Sequence, residues 1–197
     1  MSVDLKINEN YHPELKRFLK DVYELVQQNH NEKTITREVG NLLKPLLQVE
    51  GFLDERFREP NSERSKVYNV YVAPDKSFSI ASAVWNPGQG TPIHDHCTWG
   101  IIGVVQGVEI ETHYHQPDGY KKEPLKCKEV HILQKGEVLV CCTTDQDIHD
   151  VRGGYSGEPC VGFHVYGGDL AEIDRHVYNP LTGERKAMKT AWEYPQA

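Results

Sequence analysis

No stretch of the 197 residues approaches the roughly 18 consecutive apolar positions of a membrane span, so no membrane partner is expected. The first ten residues are polar and lack the apolar core of a secretory signal. Positive charge is scarce: 22 Lys and Arg stand against 29 Asp and Glu, a formal charge of −7. A broad nucleic-acid surface needs clustered basic residues, so no nucleic-acid partner is expected, while a local basic pocket for a small anion stays open. No C-x-x-C pair occurs. The five cysteines are Cys97, Cys127, Cys141, Cys142 and Cys160, an odd number with two adjacent. That speaks against a zinc-finger or thioredoxin-type reading and for reduced thiols in a cytoplasmic setting. Internal repeats and low-complexity tracts are also missing. With 38% apolar and 26% charged residues, the chain reads as globular. Its length favours one domain, as a monomer or homo-oligomer, burying roughly 70% of its unfolded surface.

What is present divides at about residue 66. Residues 1–66 read as a helical segment that packs on the β-rich remainder of the chain. Leu15, Phe18, Leu19, Val22, Leu25 and Val26 recur at the spacing of one helix face. Val39, Leu42, Leu43, Leu46 and Leu47 form a second such run. Pro45 is expected to kink or restart it, because an interior turn needs the N–H that proline lacks. Residues 54–66 are charged and read as a connection. Residues 67–197 form the β body and its tail. Strand-like runs cover 67–73, 78–85, 101–114, 130–133, 138–142 and 161–166. Gly and Pro clusters separate them, the pattern of a sandwich or barrel. The polar tail from Asp169 is expected to lie over this body.

Ten histidines are present. In Gly88-Gln89-Gly90-Thr91-Pro92-Ile93-His94-Asp95-His96, the two histidines lie two residues apart. In extended chain they face the same way and can put two imidazoles on one metal. His113-Tyr114-His115 repeats the pattern, but it leads into the polar turn 116–119 and reads as a solvent-facing pair. His149 lies 53 residues after His96 and can supply a third ligand. Trp85 and Trp99 read as packing residues.

The segment from Gly88 through His94 and His96 to Gly107 resembles the first motif of the cupin superfamily, a jelly-roll double-stranded β-helix. The Glu ligand usual in that motif is replaced by Gly100 or Ile101, which leaves a three-His set. With Gly162-Phe163-His164-Val165-Tyr166, Tyr166-Gly167-Gly168-Asp169-Leu170 and Arg175-His176-Val177-Tyr178-Asn179-Pro180, the chain resembles the thiol dioxygenases. These are the family of cysteine dioxygenase and 3-mercaptopropionate dioxygenase. The resemblance runs from about Val67 to Lys186.

It implies a mainly β cupin barrel with an N-terminal helical segment, holding Fe(II) on His94, His96 and His149. The substrates implied are a small thiol carboxylate and O2, and the product a sulfinic acid. Tyr166 is implied as a hydrogen-bond donor to substrate or oxygen, with His164 orienting it. The family's Ser-His-Tyr series has Gly162 in place of its Ser, so its outer end is expected open or filled by water. The Arg of the cysteine-type enzymes has Val70 in its place, with the pocket enlarged or dried as the expected consequence. The Arg of the mercaptopropionate type is matched by Arg175, whose planar fork suits a carboxylate. Gly100 holds the position of a cysteine that some members cross-link to the tyrosine, so no cross-link is expected. Two other readings stay open: a cupin enzyme using its metal as a Lewis acid without O2, as an isomerase or lyase, and a non-catalytic small-molecule binder.

Overall fold

The computed structural model describes residues 4–28, 30–115, 122–141 and 147–194. The turn at 116–119 and Cys142 lie outside the described residues. Helix α1 (Pro13–Val26) starts on the His12 side chain, which accepts the Glu14 N–H, with Pro13 in the first turn where its missing donor costs nothing. Helix α2 (Glu32–Leu46) is capped by Asn31, whose side chain accepts the Thr34 N–H. Pro45 does not restart α2, which is one continuous helix. It stands in the last turn, and the helix ends one residue later.

Among the described residues ten strands follow: β1 (Lys66–Val72), β2 (Phe78–Trp85), β3 (Gly100–Gln106), β4 (Val108–His115), β5 (Lys126–Gln134), β6 (Val138–Cys141), β7 (His149–Gly153), β8 (Cys160–Gly167), β9 (Arg175–Tyr178) and β10 (Arg185–Met188). The run 101–114 is two strands, broken at Gly107, whose φ of +72° turns the chain back. One sheet has the order β1-β2-β8-β3-β6, a second β5-β4-β7, and β9 pairs with β10. The pairings are antiparallel. The fold is a mainly β, cupin-type double-stranded β-helix with two helices at its N-terminal end.

The five-stranded sheet is buried on both faces, so β2 is buried at every position despite its alternating pattern. Its outer face carries Phe78, Ile80, Val84, Ile101, Val105, Val161, Phe163 and Val165. These share one core with Leu15, Phe18, Leu19, Val22, Val39 and Leu43 of the helices. The inner face carries Ala81, Ala83, Trp85, His164 and Tyr166. Opposite parity on the same strands thus separates packing from chemistry. The tail lies over the β body as expected, with Glu193 bridging Tyr68, and it forms β9 and β10.

Gly103 sets how closely α2 approaches. A Cβ there would stand 2.8 Å from Leu43 Cδ2 and 2.9 Å from Leu47 Cδ1. Gly103→Val is expected to destabilise the fold by about 1–3 kcal/mol through overpacking. Denaturant unfolding would read this as a lower midpoint at constant slope; an unchanged midpoint would show that α2 can shift freely.

Candidate metal centre

Residues 90–99 run between strands rather than in one. His94 pairs through its backbone with His149 on one side, N–H to O at 2.8 Å and 2.9 Å in the two directions. On the other side Asp95 N–H donates to His176 O and Tyr178 N–H to Ile93 O. This double anchoring keeps the segment extended. His94 and His96 therefore face inward while Asp95 faces outward. Asp95 Oδ1 accepts His176 N–H, and its Oδ2 receives His176 Nδ1 and the Tyr178 hydroxyl.

His94, His96 and His149 converge. One ring nitrogen from each lies within 4.8 Å of the others, and all three residues are buried. His149 Nε2 and His96 Nε2 are 3.4 Å apart. Two nitrogens bound at about 2.1 Å to one tetrahedral or octahedral ion lie about 3.0–3.4 Å apart, so the spacing fits a shared ion. The opposite ring edges of His94 and His149 are engaged. His94 Nδ1 donates to Pro92 O at 2.9 Å. His149 Nδ1 donates to Glu111 Oε2 at 2.8 Å. His96 is held through its backbone N–H by Asp147 Oδ2 at 2.8 Å, with the same oxygen 3.6 Å from Nδ1. In His94 and His149 these partners leave Nε2 for the centre.

Burial, then the neighbouring imidazole of His149, holds His94 and His96 well below the ordinary histidine range. They are neutral, as metal ligation requires. Burial works the same way on His149, but the Glu111 carboxylate outweighs it and raises the group. Glu111 itself is lowered; burial opposes this, and the His149 and His113 rings overcome it. Glu111→Ala is expected to weaken metal binding by about 10- to 100-fold, since it frees the His149 ring. Titration of the protein with Co(II), followed by its visible absorption, would show the loss; an unchanged affinity would make Glu111 purely structural.

Above the three rings lies a cavity of about 60 Å³, lined by Ala83, Trp85, Tyr166, Leu170 and Arg175 among others. The Tyr166 hydroxyl is 2.9 Å from His164 Nδ1, and its ring centroid lies 4.8 Å from that of His96 with the planes tilted by 53°. Burial pushes the Tyr166 phenol above its usual range, so it carries its proton. Arg175 at the start of β9 is 5% exposed, and its Nε is buried without a hydrogen bond. Among the described residues no carboxylate pairs with it. Asp174 meets Lys189, and Asp169 takes Ala171 N–H and Trp192 Nε1–H. All six residues expected from the sequence therefore meet at one cavity.

Three expectations need correction. His113 is buried, not solvent-facing. Its Nε2 lies 3.1 Å from Glu111 Oε2. β7 covers β4 only as far as the His113–His149 pair, which leaves His115 exposed beyond it. Val70 belongs to the outer core against the helices, while Val67 is the β1 residue lining the cavity. An apolar side chain at 70 therefore neither widens nor dries the pocket. The place beyond His164 is not open. Glu109 Oε1 stands 3.4 Å from His164 Nε2. Glu109, Glu111 and Asp147 were missed as site residues, although Glu109, Glu111 and His113 alternate on a strand and so share its inner face. Gly100 pairs with Tyr166 across β3 and β8, and a Cβ there would lie 3.3 Å from the tyrosine ring.

A family model described as cysteine dioxygenase type I matches residues 61–178. The chain belongs to the cysteine dioxygenase type I family. The matched span carries all six cavity residues, and it makes the protein a member of a cupin family of thiol dioxygenases. Three solved structures are similar in outline. The TT1209 protein of Thermus thermophilus is 14% identical, over 58% of this chain and 92% of its own, with a TM-score of 0.44. A protein with a double-stranded β-helix domain from Klebsiella pneumoniae is 16% identical, over 73% and 100%, with a TM-score of 0.44. A cupin superfamily protein from Desulfitobacterium hafniense is 12% identical, over 56% and 84%, with a TM-score of 0.42. Family membership rests on the sequence match and not on these likenesses. No helix among the described residues is long and apolar enough to cross a membrane.

Proposed function

We propose that the chain is an Fe(II)-dependent dioxygenase that converts a short thiol carboxylate, of the 3-mercaptopropionate or cysteine kind, with O2 to its sulfinic acid. The observation that carries this reading is the pairing of three converging buried imidazoles with a buried, unpaired guanidinium across a small cavity. The balance is R–SH + O2 → R–SO2H, with both oxygen atoms on sulfur.

His94, His96 and His149 would hold the ion through Nε2. Three protein ligands leave positions open, and neutral ones leave the ion its full charge. The chemistry supplied there, with Fe(II) bound, is acidification of the thiol and activation of O2. The chain's own residues do the rest. Arg175 pairs the carboxylate through two parallel N–H donors, which fixes where the sulfur sits. Tyr166 keeps its proton and donates its O–H toward the reacting atoms. His164 holds the tyrosine hydroxyl in place. Ala83, Trp85 and Leu170 wall the cavity and keep water from competing. At about 60 Å³ it is far below the roughly 300–1,000 Å³ of drug-sized pockets. A space of this size excludes a large ligand. Cys97, Cys127 and Cys160 are free thiols, as suits a reducing cytoplasm.

The test is O2 uptake by anaerobically iron-loaded protein with cysteine, 3-mercaptopropionate, cysteamine and mercaptosuccinate in parallel. A carboxylated thiol should be consumed with one O2 per thiol, and cysteamine, which offers Arg175 no carboxylate, far more slowly. Protein that holds iron and consumes no O2 with any of the four would overturn the reading.

A further inference from the structure

The side of residues 93–97 that faces away from the cavity carries a second set of donor atoms, and the three-imidazole cluster uses none of them. Asp95, Cys97 and His176 each place one ligand atom within 4.8 Å of the others. Asp95 Oδ2 is 2.9 Å from His176 Nδ1, and Cys97 Sγ is 3.9 Å from the same nitrogen. Cys97 lies two residues after Asp95, so the extended segment sends both away from His94 and His96. The two segments that supply the donors are tied by their backbones. Asp95 N–H donates to His176 O, and Tyr178 N–H to Ile93 O.

We propose that Asp95, Cys97 and His176 form a second metal site, for Zn(II), that clasps β9 to the segment carrying His94 and His96. The site lies outside the cavity and does not depend on what the cavity oxidises.

The donor set decides the class of ion. A thiolate, an imidazole and a carboxylate are ordinary ligands of Zn(II), whereas Ca(II) and Mg(II) take oxygen. Ligand atoms at about 2.0–2.3 Å from one ion lie about 2.9–4 Å apart, and both separations from His176 Nδ1 fall in that range. Asp95 is already set for the role. Its Oδ1 accepts His176 N–H at 2.8 Å, and its Oδ2 accepts the Tyr178 hydroxyl at 2.8 Å. Both bonds remain when an ion takes the place of the hydrogen between Oδ2 and Nδ1, the ring hydrogen then standing on Nε2. Such partners hold a ligating carboxylate in position. Entry is from solvent: Cys97 is exposed, and the His176 side chain is 24% exposed. Water can complete the coordination. The metal-free thiol keeps its proton, since burial and then the Asp95 charge push it up to about 11, and ligation releases that proton. Arg175 precedes His176, and His94 and His96 flank Asp95. An ion here therefore fastens the strand that carries the guanidinium to the segment that carries two of the three imidazoles.

Titration of metal-free protein with Co(II) tests this, because a thiolate ligand gives cobalt a near-ultraviolet charge-transfer band and the three-imidazole cluster has no sulfur to give one. The wild type should take up two Co(II), one of them with the band. His149→Ala should take up one and keep the band. Cys97→Ser should take up one and lose the band. Cys97→Ser combined with His149→Ala should bind at least about 100-fold more weakly than His149→Ala alone, since a ligand is worth more than the groups that support one. Zn(II) added to cobalt-loaded His149→Ala should displace the cobalt and erase the band. It should also raise the thermal midpoint of His149→Ala and leave that of the double variant unmoved. Absence of the band from the wild type and His149→Ala, a band that survives Cys97→Ser, or Zn(II) that leaves the band in place overturns the proposal. No arm reads thiol oxidation, so the outcome is separate from that of the O2-uptake test.

Discussion

His149→Ala is expected to abolish iron binding and turnover together. The other two imidazoles cannot hold an ion alone with useful affinity, because His149 supplies the nitrogen that faces His96 at 3.4 Å. The loss should exceed that of Glu111→Ala, which removes a support and keeps the ligand. A fall in Fe(II) affinity of about a thousandfold or more is expected, since a partner of a ligand alone is worth 10- to 100-fold. The fold should survive. The backbone pairs between residues 94 and 149 need no side chain, and Glu111 keeps His113 at 3.1 Å. Metal analysis after anaerobic loading, with circular dichroism as the control, decides the matter. A folded variant that still binds iron and consumes O2 would remove His149 from the ligand set.

Arg175→Ala is expected to raise the KM for a carboxylated thiol with little effect on iron loading. A charge-assisted bond to a buried partner is worth about 1.5–3 kcal/mol, or about 10- to 150-fold in binding. The upper end applies here. Arg175 is 5% exposed, and no other cation lies among the described residues lining the cavity. Oxidation of cysteamine, which has no carboxylate, should be unchanged by the substitution. Arg175→Lys should recover only part of the loss, because a point charge cannot pair both oxygens. An unchanged KM in Arg175→Ala would place the carboxylate elsewhere.

Much of the cavity could be read from local spacing. His94 and His96 lie two apart, so any extended segment turns them the same way, and His164 and Tyr166 follow the same rule. Strand positions were legible because β-rich runs are set off by Gly and Pro. What failed depended on neighbours distant in sequence. His113 looks solvent-facing until β7 is placed over β4. Val70 looks like a pocket residue until the irregular pairing between Asn69 and Tyr71 and the parity of β1 are known. Glu109 and Glu111 look like strand-surface charges. Only the meeting of β4 with β7 and β8 turns them toward His149 and His164. Pro45 starts no new helix for a different reason: it stands in the last turn, and the helix ends one residue later.

The absent side chain at position 162 also fixes an order of change. Serine at 162 and glutamate at 109 are incompatible, because the Cβ alone would come within 2.5 Å of the carboxyl. A lineage moving between a serine and a glutamate at this corner must therefore pass through glycine with a small residue at 109. The reverse intermediate is closed by contact. Among relatives, glycine at the position of 162 should occur with or without the acid, and serine with the acid should be missing. The two sites would then change in a fixed order, and passage between the two arrangements takes two substitutions in either direction.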